Sequence, residues 1–417
     1  MRERGLERLV ERLDFPTPFR VILPSGGELS HGEGQPAFTL RLKSHRAVRD
    51  ILLRSSLGFG EAYTRGEIDV DGDMEALVRL SFHIRDRISR GSLIERVRYG
   101  LQAAARRNSP RGSRRNIAAH YDLDNDFYEL WLDREAMQYT CAYFETAGDT
   151  LEAAQRRKMD RVCAKLDLRP GDEVVEAGGG WGGLALHMAK TWGARVTSFN
   201  ISAAQLDFAR AKAARLGVGE DRLRYVQDDY RNIERHVTSC DKFASICMLE
   251  HVGRESHAAF AALVGRILKP HGLGMIQFIS RTRPSPIANP WLETHVFPGY
   301  YNPSLGEFVT AVEASAPLQV VDVENMRFHY ALTLRHWLER LEASAETIRA
   351  RWGETTLRTF RLYLAGGVAD FEQGEGTLVY QALLSKGGDN AAPLNRRHHD
   401  RSMPIAAAAK TRRFEPA

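Results

Sequence analysis

Residues 173–183 read EVVEAGGGWGG, an apolar strand pattern that runs into a glycine-rich turn, and a helical pattern follows from about Leu184. Glycines at such a turn let the backbone bend sharply and let a ligand approach the N-terminus of the next helix. Gly178, Gly180 and Gly183 also satisfy the GxGxxG spacing of dinucleotide-binding loops. The stretch therefore predicts a nucleotide-type ligand at the edge of a parallel sheet.

The pattern on both sides of this loop alternates between strand and helix, which is typical of a doubly wound, mostly parallel α/β sheet. Further strands are expected at 195–200, 223–227, 242–248, 273–279 and 378–385, with helices at 203–216 and 257–268 and two more within 333–371. The breakers Lys269-Pro270-His271-Gly272 are expected to end the helix at 257–268. In such a sheet, ligands bind at the carboxyl ends of the strands.

The length of 417 residues exceeds the ~100–200 residues of a typical single domain, so a smaller domain is expected beside the α/β domain. Alternating stretches such as 38–42, separated by Gly and Pro turns, indicate a small α+β unit within residues 1–105. Residues 106–119 are basic and rich in breakers, so we interpret them as a linker. The α/β domain is expected at 120–387 and a disordered tail at 388–417.

Charge and cysteine content restrict the class of protein. The 58 Lys and Arg against 53 Asp and Glu give a net charge of +5, a mild bias that suits a phospholipid surface and does not require nucleic acid. The four cysteines form no CxxC pair, so neither a metal site nor a disulfide framework is indicated, and a reducing cytoplasm fits. No apolar run reaches the ~18 residues of a membrane span, and no signal peptide is recognised, so we expect a cytoplasmic protein.

Two positions distinguish the class of ligand. A nicotinamide dehydrogenase needs an acidic residue at the end of the second strand to bind a ribose hydroxyl, and Asn200 occupies that position. Glu176, at the end of the first strand, is placed to bind the cationic part of a sulfonium amino-acid cofactor. These two positions favour methyl transfer over hydride transfer.

Five ordered motifs resemble the cyclopropane fatty acid synthases and the related mycolic acid cyclopropane synthases, a family of S-adenosylmethionine (SAM)-dependent methyltransferases. The motifs are His120-Tyr121-Asp122-Leu123, residues 137–143 (MQYTCAY), the loop 176–183, residues 227–231 (QDDYR) and residues 249–253 (LEHVG). The similarity runs from about 116 to 387. Upstream, residues 60–63 (GEAY) and 66–70 (GEIDV) look like the N-terminal, lipid-binding domain of the longer bacterial synthases.

The resemblance implies a Rossmann-like methyltransferase domain with a helical, lipid-facing cap. It implies that SAM is used on the cis double bond of unsaturated acyl chains in membrane phospholipids. It also implies peripheral association with the inner face of the membrane, and a homodimer. The residues that carry over as cofactor ligands are Tyr139, Thr140, Glu176, Gly178, Gly180, Asn200, Gln205, Asp228 and Ile246.

The resemblance further implies a bicarbonate ion that acts as general base and is held by cysteine, glutamate, histidine and tyrosine side chains. Three of these carry over as the catalytic residues Cys141, Glu250 and Tyr330, whereas Gln277 stands where the synthases have a histidine. An amide can bind an anion but cannot titrate near neutral pH as imidazole does. Bicarbonate binding therefore stays open.

The chemistry allows more than one product. Methyl addition to an alkene leaves a carbocation, which Glu250 or the rings of Tyr139 and Tyr330 can stabilise. Loss of a proton from the new methyl group closes a cyclopropane ring, which is the product expected here. Loss from a neighbouring carbon after a hydride shift gives a methyl-branched or methylene chain, and Gln277 keeps this alternative open.

Other interpretations also stay open. The same scaffold serves small-molecule amine N-methyltransferases, although these generally lack the motif around Cys141. A non-catalytic lipid-binding protein and a nicotinamide oxidoreductase are further alternatives. Cys141 can be a packing residue and Glu250-His251 a surface pair, and His120 and Tyr121 can simply cap the entry to the domain.

Overall fold

The computed structural model describes residues 3–89, 123–285, 289–315, 317–373 and 376–387, together with Arg396 and His399. The expected linker at 106–119 lies outside the described residues, as do His120 and Tyr121 of the first motif and nearly all of the expected tail at 388–417.

The chain divides into two compact units that are not continuous in sequence. The first unit comprises Met1–Arg106, Pro286–Pro298 and Leu334–Gln373. The second unit comprises Arg107–Ser285, Gly299–Thr333 and Gly374–Ala417. This grouping differs from the linear segments expected from the sequence, and the linear boundaries stay a prediction.

The N-terminal part of the first unit is an α+β fold, as expected. Its elements are α1 (Glu3–Glu11), β1 (Phe19–Ile22), β2 (Glu28–His31), β3 (Phe38–Leu42), α2 (His45–Thr64), β4 (Ile68–Gly72) and α3 (Met74–Ser89). The strands form a four-stranded sheet in the order β2-β1-β3-β4, in which only the β1–β3 pair is parallel. Alternate residues of β3 are buried, because successive side chains of a strand face opposite sides of the sheet.

The remaining elements follow in chain order. They are α4 (Asn125–Glu129), α5 (Leu151–Lys165), β5 (Glu173–Ala177), α6 (Gly183–Lys190), β6 (Arg195–Asn200), α7 (Ala203–Arg215), β7 (Leu223–Gln227), β8 (Cys240–Ile246), α8 (His257–Ile267), β9 (Leu268–Arg281), α9 (Pro290–His295), α10 (Leu305–Glu313), β10 (Leu318–Asn325), α11 (Arg327–Ala343), α12 (Ala345–Gln373) and β11 (Thr377–Lys386). Short 3-10 helices occur at Tyr230–Arg235, Leu249–His251 and Arg254–Ser256.

The second unit is built on a seven-stranded sheet in the order β10-β11-β9-β8-β5-β6-β7. Strands β5 to β9 are parallel to one another, and β11 pairs antiparallel with both β9 and β10. Val174 and Val175 are neighbours in β5 but belong to separate buried clusters on the two faces of the sheet. One cluster includes α5, α6 and α7, and the other includes α8 and α10. The doubly wound α/β fold expected from the sequence is confirmed.

Two of the expected strand boundaries are wrong. The strand expected at 242–248 is β8, which begins and ends two residues earlier because Cys247 leaves the strand with a φ of 54°. The strand expected at 273–279 is part of β9, which begins at Leu268 directly after α8. The helix ends before the breakers at 269–272, as expected. The breakers themselves lie within β9, which begins where Leu268 pairs with Cys240 of β8.

Candidate active site

The glycine loop of residues 178–183 connects β5 to α6 at the carboxyl edge of the sheet. Gly178 and Gly180 have φ values of 84° and 54°, a conformation that side chains rarely adopt. A Cβ atom on Gly179 would lie 2.1 Å from Ser198 Oγ, whereas a Cβ atom on Gly180 would meet nothing within 4 Å. The loop is therefore packed against the sheet at Gly179 and open at Gly180, where a ligand can approach its backbone.

Glu176 is the second-last residue of β5, close to the start of this loop, and it is buried. Its Oε2 atom accepts a hydrogen bond of 2.5 Å from the Ser198 hydroxyl. Burial raises the pKa of Glu176 to about 7, because it outweighs the Ser198 hydrogen bond and the charge of Lys158, which both lower the pKa. A cationic ligand beside this carboxyl group would favour its ionised form, so Glu176 fits the ammonium group of an amino-acid cofactor.

Asn200 and Gln205 form the next part of the site, at the end of β6 and the start of α7. The Asn200 amide nitrogen donates to the Gly180 carbonyl at 3.0 Å and to Gln205 Oε1 at 2.8 Å. The Gln205 Nε2 atom is buried and has no hydrogen-bond partner among the described residues. A buried amide donor without a partner is costly unless a ligand accepts its hydrogen bond. These residues thus fit a polar ligand such as SAM.

Asp228 and Ile246 follow at the ends of β7 and β8. Asp228 accepts hydrogen bonds from Asn232 at 2.8 Å and from His236 at 2.9 Å, and these bonds lower its pKa to about 2. Asp228 is therefore an ionised carboxylate whose oxygens already have partners within the chain. Ile246 is the last residue of β8 and pairs with Gln277 of β9. The sequence-based assignment of Asp228 and Ile246 as cofactor ligands stays a prediction.

Tyr139 lies in an aromatic cluster beside the glycine loop. Its ring centroid is 5.7 Å from that of Tyr128 and 5.3 Å from that of Trp131. Trp181, which belongs to the loop, lies 5.0 Å from Tyr128. Tyr128 packs against both Tyr139 and Trp181, so the rings hold the Tyr139 segment against the glycine loop.

Cys141 is fully buried, and its segment contacts the start of α11. The Ala142 backbone N–H donates to Thr333 Oγ1 at 3.0 Å, and the Cys141 sulfur lies 3.8 Å from the Met326 carbonyl oxygen. Tyr330 is buried in the same turns of α11. Burial raises the pKa of the Cys141 thiol well above its usual value, so the group is a neutral thiol and not a thiolate.

Helix α5 contributes two residues that the sequence analysis missed. Gln155 Nε2 donates to the Thr140 carbonyl at 2.8 Å, and Lys158 Nζ donates to Thr140 Oγ1 at 2.9 Å and to Gln138 Oε1. Lys158 is fully buried, and burial lowers its pKa to about 8. Gln155 and Lys158 are one helical turn apart, and both lie among buried residues of α5. Two polar residues on one buried face of a helix are the sequence signal that could have identified them.

Glu250 lies in the short 3-10 helix after β8 and is buried, so the alternative of a surface pair is wrong. Its Oε1 atom accepts the Ile279 backbone N–H at 2.5 Å. Its Oε2 atom is buried and has no hydrogen-bond partner among the residues that the structure describes. Burial raises the pKa of Glu250 to about 7, and burial also lowers the pKa of His251 to about 4. One oxygen of Glu250 is therefore able to take a proton near neutral pH.

Three of the four residues assigned as catalytic from the sequence gather around Cys247. Gln277 is fully buried, and its Nε2 atom donates to the Cys247 sulfur at 3.4 Å. Burial raises the pKa of the Cys247 thiol, the charge of Glu250 raises it further, and hydrogen bonds from Gln277 and from the Cys141 backbone lower it. Cys141, Glu250 and Gln277 are thus close to one thiol that the sequence analysis did not single out.

Two further properties concern the described residues only. No helix within them is long and apolar enough to cross a membrane. They also contain no group of three or more His, Cys, Asp or Glu side chains arranged to hold a metal ion.

Family models match both parts of the chain. Residues 108–381 match the model of mycolic acid cyclopropane synthetase, and residues 7–92 match a domain of unknown function. The first match covers more than half of the 417 residues and includes every residue of the candidate site.

Relatives with assigned names cover most of the chain. It is 33% identical over 388 residues to a probable fatty acid methyltransferase of Pseudomonas putida, covering 92% of this chain and 94% of the relative. It is 30% identical over 365 residues to the cyclopropane-fatty-acyl-phospholipid synthase of Escherichia coli K12, covering 86% of this chain and 90% of the relative.

A solved structure shares the fold and points to the same cofactor. The mycolic acid cyclopropane synthase CmaA1 complexed with SAH and CTAB superposes with a TM-score of 0.60 at 29% identity, covering 66% of this chain and 98% of that chain. The interpretation as a nicotinamide oxidoreductase is therefore wrong. The family model, the relatives and the site geometry agree, and the chain belongs to the mycolic acid cyclopropane synthetase family of SAM-dependent methyltransferases.

Proposed function

We propose that this chain methylates the cis double bond of unsaturated acyl chains in membrane phospholipids and closes a cyclopropane ring. The observation that carries the proposal is Glu250, whose buried Oε2 atom has no hydrogen-bond partner among the described residues and whose pKa is about 7. Such a carboxylate can stabilise a carbocation and take a proton from it. The name of the Escherichia coli relative supports the same class of substrate.

In the proposed reaction, Glu176 and Glu250 have different roles. SAM, when bound, supplies an electrophilic methyl group, and an alkene needs no activating base to attack it. Alignment in a site without water then provides much of the rate enhancement. Both glutamates are buried; Glu176 would bind the cationic part of the cofactor, and Glu250 would stabilise the carbon atoms that become positively charged. After methyl addition, Glu250 Oε2 takes the proton whose loss closes the ring.

Gln277 favours a second candidate product. Its amide cannot accept a proton near neutral pH, so a titratable group is missing at a position where the resemblance expects imidazole. With fewer bases nearby, the cation has more time to rearrange by a hydride shift, and the product is then a methyl-branched or methylene chain. The Pseudomonas putida relative is named a fatty acid methyltransferase, which is compatible with either product.

A bicarbonate ion stays a prediction of the resemblance. The Gln277 amide can donate a hydrogen bond to such an anion. Glu250 would then have to be protonated, since two neighbouring buried anions repel each other, and its pKa of about 7 makes this form accessible. Rates measured in bicarbonate-free buffer, with and without added bicarbonate, test whether the ion takes part.

Exposed residues of α2, in the first unit, support association with a membrane surface. The backbone of α2 is kinked at Ser55, and Leu52 and Leu53 just before it are 39% and 71% exposed. The side chains of Arg46 and Arg49 of the same helix are 58% and 43% exposed, and both pair with Asp50. Apolar side chains beside basic ones suit the surface of an anionic membrane. We propose peripheral association with the inner face of the membrane, and the homodimer stays a prediction.

The product from defined vesicles tests the proposed function. Purified protein is incubated with methyl-labelled SAM and vesicles of a phospholipid with monounsaturated chains, and the released acyl chains are identified by mass spectrometry. Vesicles with saturated chains are the matched control. We expect label in unsaturated chains only, as ring-containing product.

The second candidate is separated in the same assay. Branched or methylene chains from the unmodified protein, with ring product restored in Gln277→His, would establish the alternative product. Label in a soluble amine, with none in lipid, would contradict both.

A further inference from the structure

Cys247 has an unusual backbone conformation, and its side chain accepts a hydrogen bond from Gln277. It follows β8 directly with a φ of 54°, which is uncommon for a residue other than glycine and costs energy. Its sulfur accepts a hydrogen bond from Gln277 Nε2 at 3.4 Å. The Cys247 backbone N–H donates to the Gln277 carbonyl at 2.7 Å, so Gln277 contacts both the backbone and the sulfur of Cys247.

The oxygen of the Gln277 amide accepts a hydrogen bond from Gln381. Gln381 of β11 lies opposite Gln277 in the β9–β11 pair, and its Nε2 atom donates to Gln277 Oε1 at 2.9 Å. Both glutamine side chains are 1% exposed or less. In such a position an amide with a mismatched partner would leave a buried polar group unsatisfied, so the two amides determine each other's orientation.

Gln381 is in turn held by Lys165 of α5. Lys165 Nζ donates to Gln381 Oε1 at 2.7 Å and to Glu324 Oε2 at 2.5 Å. Arg161 also donates to the Glu324 carboxylate, at 3.0 Å. The lysine ammonium is thus neutralised by Glu324 while it contacts the glutamine.

The chain of bonds has a direction because an ammonium group can only donate. The atom of Gln381 that faces Lys165 must be its oxygen, so its NH2 group faces Gln277. The atom of Gln277 that faces Gln381 must then be its oxygen, so its NH2 group faces Cys247. Lys165 therefore determines, through Gln381, which end of the Gln277 amide faces Cys247.

We propose that Lys165 and Gln381 are positioning residues that turn the NH2 group of Gln277 toward Cys247. In this orientation Gln277 presents a hydrogen-bond donor and no proton acceptor beside Cys247. Glu250 is then the group that removes the proton. The statement about proton removal rests on the proposed function, whereas the orientation of the amide does not.

Substitution of Gln381 by glutamate is the sharpest test. A carboxylate can accept from Lys165 but cannot donate to Gln277, so in Gln381→Glu the Gln277 amide turns its NH2 group toward the new carboxylate and its oxygen toward Cys247. Iodoacetamide reacts with the small thiolate fraction of Cys247, which then loses one stabilising hydrogen bond. We expect alkylation of Cys247 by iodoacetamide, quantified on its own peptide by mass spectrometry, to slow about fivefold at constant pH.

Two further variants keep the test decisive. Gln277→Met removes the donor altogether and is expected to slow alkylation as much as Gln381→Glu does. Gln381→Met can neither donate nor accept, so the Gln277 amide samples both orientations and alkylation slows about twofold. Circular dichroism and thermal melting of each variant establish that it is folded before its alkylation rate is compared.

The outcomes separate this inference from the proposed function. Slow alkylation in Gln277→Met but normal alkylation in folded Gln381→Glu or Gln381→Met would overturn the inference, because Gln277 would then donate without Gln381. The thiol assay contains no lipid, so a failure of lipid methylation leaves its result intact. If lipid is methylated, Gln381→Glu is also expected to change the ratio of ring to branched product.

Discussion

The cofactor side of the candidate site (Glu176, Asn200, Gln205 and the glycine loop) and its reaction side (Cys141, Cys247, Glu250 and Gln277) each contain a buried glutamate with a pKa of about 7. Glu176 receives a hydroxyl donor and lies near a lysine, whereas Glu250 keeps one oxygen without a partner among the described residues. The first arrangement suits holding a cation and the second suits taking a proton. The same shift in pKa thus serves different chemistry, depending on which atoms remain available.

Removing the proton acceptor on the reaction side is expected to have the largest effect. Glu250→Gln keeps the shape of the side chain but cannot take a proton near neutral pH, so we expect formation of the ring product to fall about 10²–10⁴-fold. SAM affinity, measured by calorimetry, should stay unchanged. Glu176→Gln is the matched control and should show the opposite pattern, with weakened SAM binding. Equal loss of SAM affinity in both variants would break the distinction between the two sides.

Filling the tight turn of the glycine loop is expected to have the next largest effect. In Gly179→Ala the new Cβ atom would lie 2.1 Å from Ser198 Oγ and 2.8 Å from Glu176 Oε2, so the loop must shift. We expect a loss of about 1–3 kcal/mol in the free energy of unfolding and at least about tenfold in SAM affinity. The matched control is Gly366→Ala in α12, where a Cβ atom meets nothing within 4 Å. Unchanged SAM binding in Gly179→Ala would show that the cofactor lies elsewhere.

The pH dependence of SAM binding sharpens the comparison further. The pKa of Glu176 is about 7 without ligand, and a cationic cofactor favours the ionised carboxylate. SAM affinity is therefore expected to be greatest above pH 7 and to fall by up to about tenfold per pH unit below it. Calorimetry across this range measures the effect, and Glu176→Gln should remove it. A dependence that persists in Glu176→Gln would assign the titration to another group.

Conservative replacement of the Cys141 thiol is expected to have the smallest effect. Its raised pKa makes it a neutral group, and serine is also a neutral hydrogen-bond donor of similar size. Cys141→Ser should retain lipid methylation within about fivefold, with Cys141→Leu as a bulky control that disturbs the segment. A loss as large as that of Glu250→Gln would mean that the thiol acts directly in the reaction.

The sequence predicted the strands, loop and helix around Glu176 and Asn200 well because the contacts there are local. The strand, glycine loop and helix at 173–190 follow one another in the chain, and Asn200 contacts Gln205 five residues later. Strands β5, β6 and β7 have the bounds that the periodicity predicted. Local turn chemistry and apolar runs are what a single sequence displays most directly.

The reaction side was predicted less well because its contacts join distant parts of the chain. Gln277 and Gln381 are 104 residues apart, and Lys165 and Gln381 are 216 apart. Cys247 was missed because it was placed inside a strand, whereas its positive φ removes it from β8. Nothing in a window of neighbouring residues shows that these side chains meet, so Gln277 was recognised only as a departure from relatives.

The central claim is that Glu250 takes the proton released after methyl transfer to an unsaturated phospholipid chain. Its most direct test compares the unmodified protein with Glu250→Gln on vesicles of monounsaturated phospholipid and labelled SAM, with acyl products identified by mass spectrometry. The account predicts chains one CH2 unit heavier that contain a ring from the unmodified protein, and almost none from Glu250→Gln at equal SAM occupancy. Equal amounts of ring product from both proteins would contradict it.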